Sequence, residues 1–354
     1  MKVVVVGPGP KFLSGISYFT WKLVTTLEAT PILFRDMIPK FLFPGKDRVG
    51  EVENKIKYEP YGLFLDWWNP VTWIRAVQEC NRHDVVILEW WSVSVAHMYA
   101  FIALFCRQRI IVEVHELIDP MESNRTLLRA YGKVMWWIVW GRAERIVVHS
   151  QHDRSLLMNI CSNSSIEIKN ISIIPHGVYD QYGKSAEKWF DRFDVVFFGL
   201  VRDYKGVKYL LDGFKKANFD PFISRLFIFG EQWDKIEDKD HWLNVYINDQ
   251  YKGDTQIEQI FTNADVVVLP YLRASSSGVA HIAIHYGLPI IATPVGGLDE
   301  LRDYEGMFYV PVKDPDAIAD ALKLVYSNYR NKRFPVPKRL EWSSIKEEWE
   351  KEIE

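Results

Sequence analysis

Short apolar runs alternate with helix-like segments along the whole chain. The runs are rich in β-branched residues and end beside small or polar residues, as buried parallel strands do. The series of runs stops once and then restarts, which predicts two doubly wound α/β domains with parallel sheets. The predicted strands are 2–7, 84–90, 109–115 and 145–150 in the first series, and 194–199, 225–230, 265–270 and 288–293 in the second.

Two polar breaks mark the predicted domain boundaries. The stretch 176–193 contains glycine and lacks clear periodicity, and the stretch 328–339 is basic and contains two prolines. A helical pattern follows the second break and runs to the last residue. The sequence therefore predicts an N-terminal domain, a C-terminal domain and a final segment, over residues 1–178, 179–336 and 337–354.

Composition narrows the classes of function. A chain of 354 residues can bury two cores, and a net charge of −3 gives no basic field that would attract nucleic acid. The three cysteines match neither a zinc nor a disulfide pattern, which favours a reducing compartment. No apolar run is long enough to span a membrane, and the first residues are typical of a strand rather than a secretory signal. We therefore expect a cytoplasmic protein that does not bind nucleic acid.

The stretch PYLRASSSGVAHIAIHYGLP, residues 270–289, contains a serine-rich turn between a predicted strand and a predicted helix. Unpaired amides and the positive end of the dipole favour anions at a helix N-terminus. Serine hydroxyls add donors, and glycine allows an oxygen to approach the backbone. The turn carries no acidic residue, which suits phosphate. The simpler alternative is that a serine caps a core helix.

A second turn, in FFGLVRDYKG (197–206), carries two cations, Arg202 and Lys205. Ligands of open α/β sheets bind at the carboxyl ends of the strands, where this turn is expected to lie. Arginine can bind phosphate through two nitrogens, and lysine adds a point charge. Either cation alone could simply be solvated on a surface loop. Together with the serine turn, they predict a site for a diphosphate.

The chain resembles the retaining glycosyltransferases of family four, which have the GT-B fold. The resemblance covers most of the chain and implies two facing Rossmann-like domains, with the last helix crossing back to the N-terminal domain. It implies transfer of a sugar from a nucleotide-diphosphate donor to a hydroxyl acceptor, which is a glycan, a lipid-linked sugar or a protein glycan. The motifs that carry it are GPGPKFLSGISYFTWKL, VILEWW, EVHE, VVHS, IIPHGV, FFGLVRDYKG, IFGEQW, ADVVVLPY, SSSG, YGLPIIATPVGGLDEL and VPVKDPDAIADAL.

The resemblance assigns roles by position. It places the catalytic residue, a neutral imidazole that contacts the reacting sugar or assists the acceptor proton, at His115. Glu116 is a weaker alternative as the base, and Glu300 either lines the site or supports the following helix. The remaining expected site residues are Arg202, Lys205, Ser277, Gly278 and Val279 at the donor diphosphate, Gly230 and Glu231 at the base and ribose, Ser14 and Gly15 in a loop near donor and acceptor, and Ser275 and Ser276 beside the turn.

The sequence departs from the family at one point. Most members carry two glutamates around the serine turn, whereas this chain has Ala274 and Ile282 at the matching positions. A branch of the family with an SG turn also lacks the pair. The departure leaves the sugar and the donor orientation open, and it excludes double displacement by a carboxylate at this turn. We expect no metal and no cofactor, and we interpret DKD (238–240) as a charged loop and DPD (314–316) as a helix cap.

Alternatives remain open at this stage. A nucleotide-sugar epimerase shares the architecture, and a catalytically silent nucleotide-sugar-binding module fits the missing glutamates. A nicotinamide dehydrogenase is disfavoured, because Phe12 occupies the third glycine position of the dinucleotide fingerprint. The tryptophan-rich helix 131–145 either packs on the sheet or lies on the inner face of a membrane, near a lipid-linked acceptor.

Overall fold

A computed structural model describes most of the chain, and it divides into two compact units. The described residues are 1–9, 15–35, 63–117, 126–164, 166–168, 170–183, 188, 191–236, 243–250 and 252–354, with the side chains of 126–129 and 164 excepted. Of these residues, the first unit takes those of 1–177 and 342–354, and the second takes those of 178–341. The sequence placed the corresponding boundaries after residues 178 and 336.

The first unit is built on a seven-stranded sheet in which every pair of neighbouring strands is parallel, as the uninterrupted apolar runs predict. The strand order is β3-β2-β1-β4-β5-β6-β7. The strands are β1 (Val3–Gly7), β2 (Thr30–Phe34), β3 (Leu63–Leu65), β4 (Val85–Trp90), β5 (Arg109–Val114), β6 (Arg145–Val148) and β7 (Ile171–Ile173).

Helices cover both faces of this sheet. One face carries an apolar core with large aromatic side chains, among them Trp90, Tyr99 and Trp140. Two tryptophans of the aromatic helix, Trp136 and Trp140, belong to this core, as the packing alternative predicts, whereas Trp137 is 65% exposed. Contact of this helix with a membrane stays a prediction. The helices are α1 (Gly15–Thr26), α2 (Pro70–Cys80), α3 (Ala96–Phe105), α4 (Thr126–Arg142) and α5 (Gln151–Ser164).

The last helix of the chain, α10 (Trp342–Ile353), belongs to the first unit. Its buried residues recur at helical spacing, and they are Trp342, Ile345, Trp349 and Ile353. The Trp342 ring lies 5.4 Å from that of Phe19, and Arg145 forms an ion pair of 2.6 Å with Glu352. The apolar stripe therefore explains why a segment that follows the second unit packs with the first.

The second unit has a six-stranded parallel sheet of order β10-β9-β8-β11-β12-β13. The chain runs outward from β8 on one side and then continues from β11 on the other, so the order reverses between these two strands. In open α/β sheets this reversal is where ligands bind. The elements are β8 (Phe193–Phe198), α6 (Val207–Ala217), β9 (Ser224–Phe229), β10 (Val245–Asn248), α7 (Asp254–Asn263), β11 (Val266–Leu269), α8 (Gly278–His285), β12 (Ile290–Ala292), β13 (Met307–Tyr309) and α9 (Pro315–Asn328).

Two predicted features of this unit are confirmed by its local structure. Asp314 caps α9, because its side chain accepts a hydrogen bond of 3.0 Å from the Ala317 amide, and Pro315 is the first helical residue. The DKD stretch lies outside the described residues. None of the helices in the described part of either unit is both long and apolar enough to cross a membrane.

Candidate functional site

The turn after β8 places Lys205 at the point where the strand order of the second sheet reverses. Lys205 is half-buried, and its amine lies 5.3 Å from the ring centre of Tyr271. Among the described residues, no acceptor or acidic partner contacts this amine. Desolvation and the neighbouring Arg202 lower the pKa of Lys205 below 10.5. A partly buried cation without a negative partner is costly, so this arrangement indicates a place for an anion.

The serine turn lies beside this lysine and opens α8. Ser277 caps the helix, with its hydroxyl 3.4 Å from the Ala280 amide, so the simple capping alternative is correct for this residue. The amides of Gly278 and Val279 follow the cap and have no acceptor among the described residues. Capping by Ser277 therefore leaves two unpaired donors at the positive end of the helix.

The two turns are close in space, and a glycine makes room between them. A Cβ atom on Gly199 would lie 3.2 Å from the Lys205 Nζ and 3.6 Å from the Val279 Cγ2. Gly199 also has a φ of 108°, which side chains rarely adopt. The structure therefore brings together Lys205 and the start of α8, two features that lie more than 70 residues apart along the chain.

Further glycines fix the backbone of these turns by close approach. Gly206 has a φ of 67°, and a Cβ there would lie 2.0 Å from the Pro270 carbonyl oxygen. A Cβ on Gly296 would lie 1.7 Å from the Ala274 carbonyl oxygen, and the Gly297 amide donates to Ser275 at 2.7 Å. Gly199, Gly206, Gly296 and Gly297 are site residues that the sequence argument missed. Their signal was a glycine at or shortly after the end of a predicted strand or turn.

Arg202 lies in the same turn as Lys205, but unlike Lys205 it has an acidic partner, Asp234. Its Nε atom donates to Asp234 at 3.2 Å, and the group lies over the Trp233 ring at 5.1 Å. The terminal nitrogens of Arg202 have no partner among the described residues. They remain available to a ligand, and the Asp234 contact holds the side chain in one orientation.

The other predicted residues of the second unit lie along the same edge of the sheet. Gly230 ends β9 with a φ of 144°, and a Cβ there would lie 2.1 Å from the Gly199 carbonyl oxygen. Glu231 follows it, half-buried, and its carbonyl accepts the Val201 amide at 2.9 Å. Glu300 is also half-buried, and its carbonyl accepts from Arg339 at 2.7 Å. Gly230 and Glu231 are thus next to the Lys205 turn.

The two positions that match the paired glutamates of the glycosyltransferases this chain resembles differ in exposure. Ala274 is half-buried in the serine turn, and Ile282 is buried in α8. Ser275 is half-buried and Ser276 is exposed. Within the turn 270–277, every described residue is neutral apart from Arg273, so its composition favours a negatively charged ligand.

The predicted site residues of the first unit lie in two places, after β5 and at the start of α1. His115 follows β5, and its side chain is only 5% exposed, because it faces a buried polar group rather than solvent. Glu116 beside it is half-buried. Gly15 is the first residue of α1 and is exposed, and Ser14 lies outside the described residues.

The buried polar group consists of Glu89, Glu113, His115 and His149. Burial lowers the pKa of His115 well below 6.5 and that of His149 to about 4, so both rings are neutral at pH 7. Burial raises the pKa of Glu89 to about 8 and also raises that of Glu113. The ligand atoms of Glu113, His115 and His149 all lie within 4.8 Å of one another, so these residues could hold a metal ion.

Sequence comparisons agree with the geometry of the second unit. Residues 192–328 match the family model described as glycosyl transferases group 1. Over 227 residues, the chain is 29% identical to MJ1607, an uncharacterized glycosyltransferase of Methanocaldococcus jannaschii. That alignment covers 55% of this chain and 56% of the relative, so the chain spans about half the length of the curated relative it matches.

Solved structures with a similar fold cover the whole chain. HepE of Anabaena, in complex with UDP, aligns with a TM-score of 0.69 at 14% identity, over 100% of this chain and 99% of its own. Sucrose-phosphate synthase of Thermosynechococcus elongatus aligns with a TM-score of 0.68 at 13% identity, over 99% and 98%. Similarity at this level of identity establishes the fold, which is GT-B.

Proposed function

We propose that this chain is a retaining, metal-independent glycosyltransferase that uses a nucleoside-diphosphate sugar. The observation that carries the proposal is the Lys205 amine, which has no negative partner among the described residues and lies beside the start of α8. The two unpaired amides there and the terminal nitrogens of Arg202 add donors of the kind that hold a diphosphate. HepE is a structural neighbour in complex with UDP and with UDP-glucose, which supports a uridine donor as the first to test.

In this proposal, the donor site accelerates transfer by stabilising the leaving group. The bond between the anomeric carbon and the phosphate oxygen breaks, and a bond to the acceptor oxygen forms on the same face. The acceptor proton passes to the departing phosphate oxygen. Lys205, Arg202 and the helix terminus stabilise the charge that develops on that phosphate, so the residues need no metal there. Ala274 supplies no carboxylate for a covalent intermediate.

The remaining roles follow the resemblance. Gly230 and Glu231 would contact the base and ribose, and Gly15 would lie near donor and acceptor. His115 would contact the reacting sugar as a neutral hydrogen-bonding group, because burial of its ring disfavours the imidazolium. The acceptor is proposed to be a hydroxyl of a glycan, a protein glycan or a lipid-linked sugar.

A silent binding module is the second candidate, and one observation favours it. The positions that usually hold the glutamates carry Ala274 and Ile282, and Ile282 is buried in an apolar helix. Such a module would bind the donor without cleaving it. Release of UDP from UDP-glucose over time, with or without added acceptor, separates the two candidates, because only an enzyme produces it.

Calorimetric titration with UDP, GDP, ADP and dTDP tests the donor site. One of these should bind, and Lys205→Ala should weaken its affinity by ~10–150-fold, as expected when a charge-assisted hydrogen bond of roughly 1.5–3 kcal/mol is lost. Arg202→Ala should also weaken it. Lys208→Ala is the matched control, because Lys208 lies three residues further on, is exposed and packs over Tyr209 at 5.1 Å. Unchanged affinity in both site variants would contradict the proposal.

A further inference from the structure

The first unit contains a polar group that the proposed function leaves largely unused. Glu89 and Glu113 are paired neighbours in β4 and β5, so their side chains point to the same face of the sheet. His115 lies two residues beyond Glu113 on that face, and His149 follows the neighbouring strand β6. Phe19 of α1 covers the two rings, at 4.8 Å from His115 and 5.3 Å from His149. The four side chains thus share one closed space under α1.

The two carboxyl groups in this space are poorly compensated. Both side chains are fully buried, and both oxygens of Glu113 lack a hydrogen-bond partner among the described residues. Glu89 accepts a hydrogen bond from Thr20 on one oxygen and has none on the other. No lysine or arginine in the described part of the chain forms an ion pair with either group. Without a cation, such groups stay uncharged and their polar atoms stay unsatisfied, whereas a bound cation would stabilise the carboxylate form.

The absence of a side chain at Gly7 leaves space for this polar group. A Cβ atom on Gly7, at the end of β1, would lie only 2.0 Å from the Glu89 Oε2 and 2.9 Å from Thr20. The first glycine of GPGPKF therefore accommodates a buried carboxyl group. Packing against Glu89 therefore explains a glycine at position 7 without a bound dinucleotide.

The histidine tautomers leave ring nitrogens facing Glu113. The His149 Nδ1 lies 3.0 Å from the Ile174 carbonyl oxygen, which can only accept, so this nitrogen carries the proton. The His149 Nε2 then presents a lone pair, at 3.8 Å from Glu113 and 3.2 Å from the His115 Nδ1. A histidine that binds metal through one nitrogen commonly donates the other to a backbone carbonyl in this way.

The ligand atoms of these three residues are close enough together to surround one cation. Nitrogen and oxygen ligands at about 2.0–2.2 Å from a tetrahedral zinc lie roughly 3.3–3.5 Å from one another. The His149 Nε2 lies 3.2 Å from the His115 Nδ1 and 3.8 Å from the Glu113 Oε1, whereas the other ring nitrogen of His115, Nε2, lies 3.7 Å from the Glu113 Oε2. One ligand atom from each of the three residues lies within 4.8 Å of the other two, so a bound ion would draw them closer together. We propose that Glu113, His115 and His149 bind a divalent transition-metal ion, for which two imidazoles and one carboxylate suit zinc best.

The cation would be structural for the first unit and separate from the diphosphate-binding residues of the second. With the ion bound, His115 would be its ligand and would not contact the reacting sugar, because both of its ring nitrogens face the buried group. The ion's two positive charges would balance the carboxylates of Glu113 and Glu89, with Glu89 as an outer neighbour held by Thr20. It would also keep both imidazoles neutral. Because none of its ligands belongs to the second unit, its presence does not depend on donor binding.

Metal titration of the full chain tests this inference. After treatment with a chelator, the protein is titrated with Zn²⁺ against a chromophoric competitor, and one equivalent should bind. Glu113→Gln and His149→Gln remove one ligand each and should weaken affinity by more than the roughly 10–100-fold typical of an outer-shell partner. His83→Gln is the matched control, since it removes another buried histidine of the same unit, bonded to the Glu79 carbonyl and Thr30.

Cobalt substitution identifies the ligands independently. Co²⁺ in the unmodified protein should show the strong visible bands of a tetrahedral site, and both ligand variants should lack them. A thiolate-to-cobalt charge-transfer band would instead assign the ion to Cys80 and Cys106, whose thiols are neighbours, and would overturn the inference. Absence of stoichiometric zinc binding, or full affinity in both ligand variants, would overturn it as well. A rise in melting temperature with Zn²⁺ in the unmodified protein supports it without relying on the variants.

Discussion

The Lys205 amine has no negatively charged partner among the described residues. Its pKa lies below 10.5 because of desolvation, followed by the effect of Arg202. A lowered lysine pKa means that the folded state disfavours the charged form, so Lys205 costs stability at neutral pH. A bound diphosphate removes that cost by supplying the missing charge, which is the usual trade between stability and function at a binding site.

The pH dependence of nucleotide binding follows from this shift. As pH rises through the lowered pKa, Lys205 loses its proton earlier than an exposed lysine would. Affinity for the diphosphate should therefore fall at alkaline pH below 10.5, and binding there should take up protons, because the ligand raises the lysine pKa again. Calorimetry in two buffers of different ionisation enthalpy measures both effects.

Lys205→Arg is the control for that prediction. Guanidinium stays charged throughout this pH range, so the variant should bind without proton uptake and should keep its affinity as pH rises. If affinity varied with pH in the same way in the unmodified protein and in Lys205→Arg, a group other than Lys205 would cause the pH dependence.

At the scale of single elements, the sequence predicted all the strands that lie inside the two sheets except β2, which contains Pro31 and has only three fully buried residues. The β-branched runs of β1, β4, β5, β6, β8, β9, β11 and β12 were identified, because central parallel strands are apolar on both faces. The four edge strands β3, β7, β10 and β13 were missed. These strands have three or four residues, and apart from Leu65 in β3 none of their residues is fully buried, so no continuous apolar run marks them.

The candidate site was predictable only in part for a related reason. Lys205, Arg202 and the serine turn have a local chemical signal, since charge and hydroxyls follow a strand. Gly199 acts through its distance to Lys205 and Val279, and Gly296 through its contact with Ala274. These contacts join segments that are far apart in the chain. Glu89 and Glu113 had a visible signal, an acid inside an apolar run, but their pairing depends on strand register.

The start of α9 gives an element-scale prediction. Removal of the Asp314 cap by Asp314→Ala should lower the free energy of unfolding by ~0.5–2 kcal/mol, since the Ala317 amide loses its acceptor. Asp320→Ala, at an exposed position of the same helix, is the control and should leave stability within roughly ±0.5 kcal/mol. Equal effects of the two changes in urea titrations would contradict the capping role.

At the scale of the whole molecule, the chain forms two cores, and the first core contains residues from both ends of the sequence. The final twelve-residue helix follows the second unit in sequence but buries Trp349 completely within the first. Stability of the first unit therefore depends on the last residues of the chain. The residues proposed to hold the donor diphosphate, by contrast, all belong to the second unit.

Trp349→Ala should make the unfolding transitions of the two units distinguishable in a thermal melt. Loss of a fully buried tryptophan costs ~3–5 kcal/mol, and the loss should fall on the transition of the first unit. UDP should still raise the transition of the second unit, because its ligand contacts are intact. Trp137→Ala, at a tryptophan that is 65% exposed, controls for general loss of an aromatic group and should shift neither transition appreciably. If Trp349→Ala abolished the UDP-dependent rise, the second unit would depend on α10, and the assignment of two separate cores would be wrong.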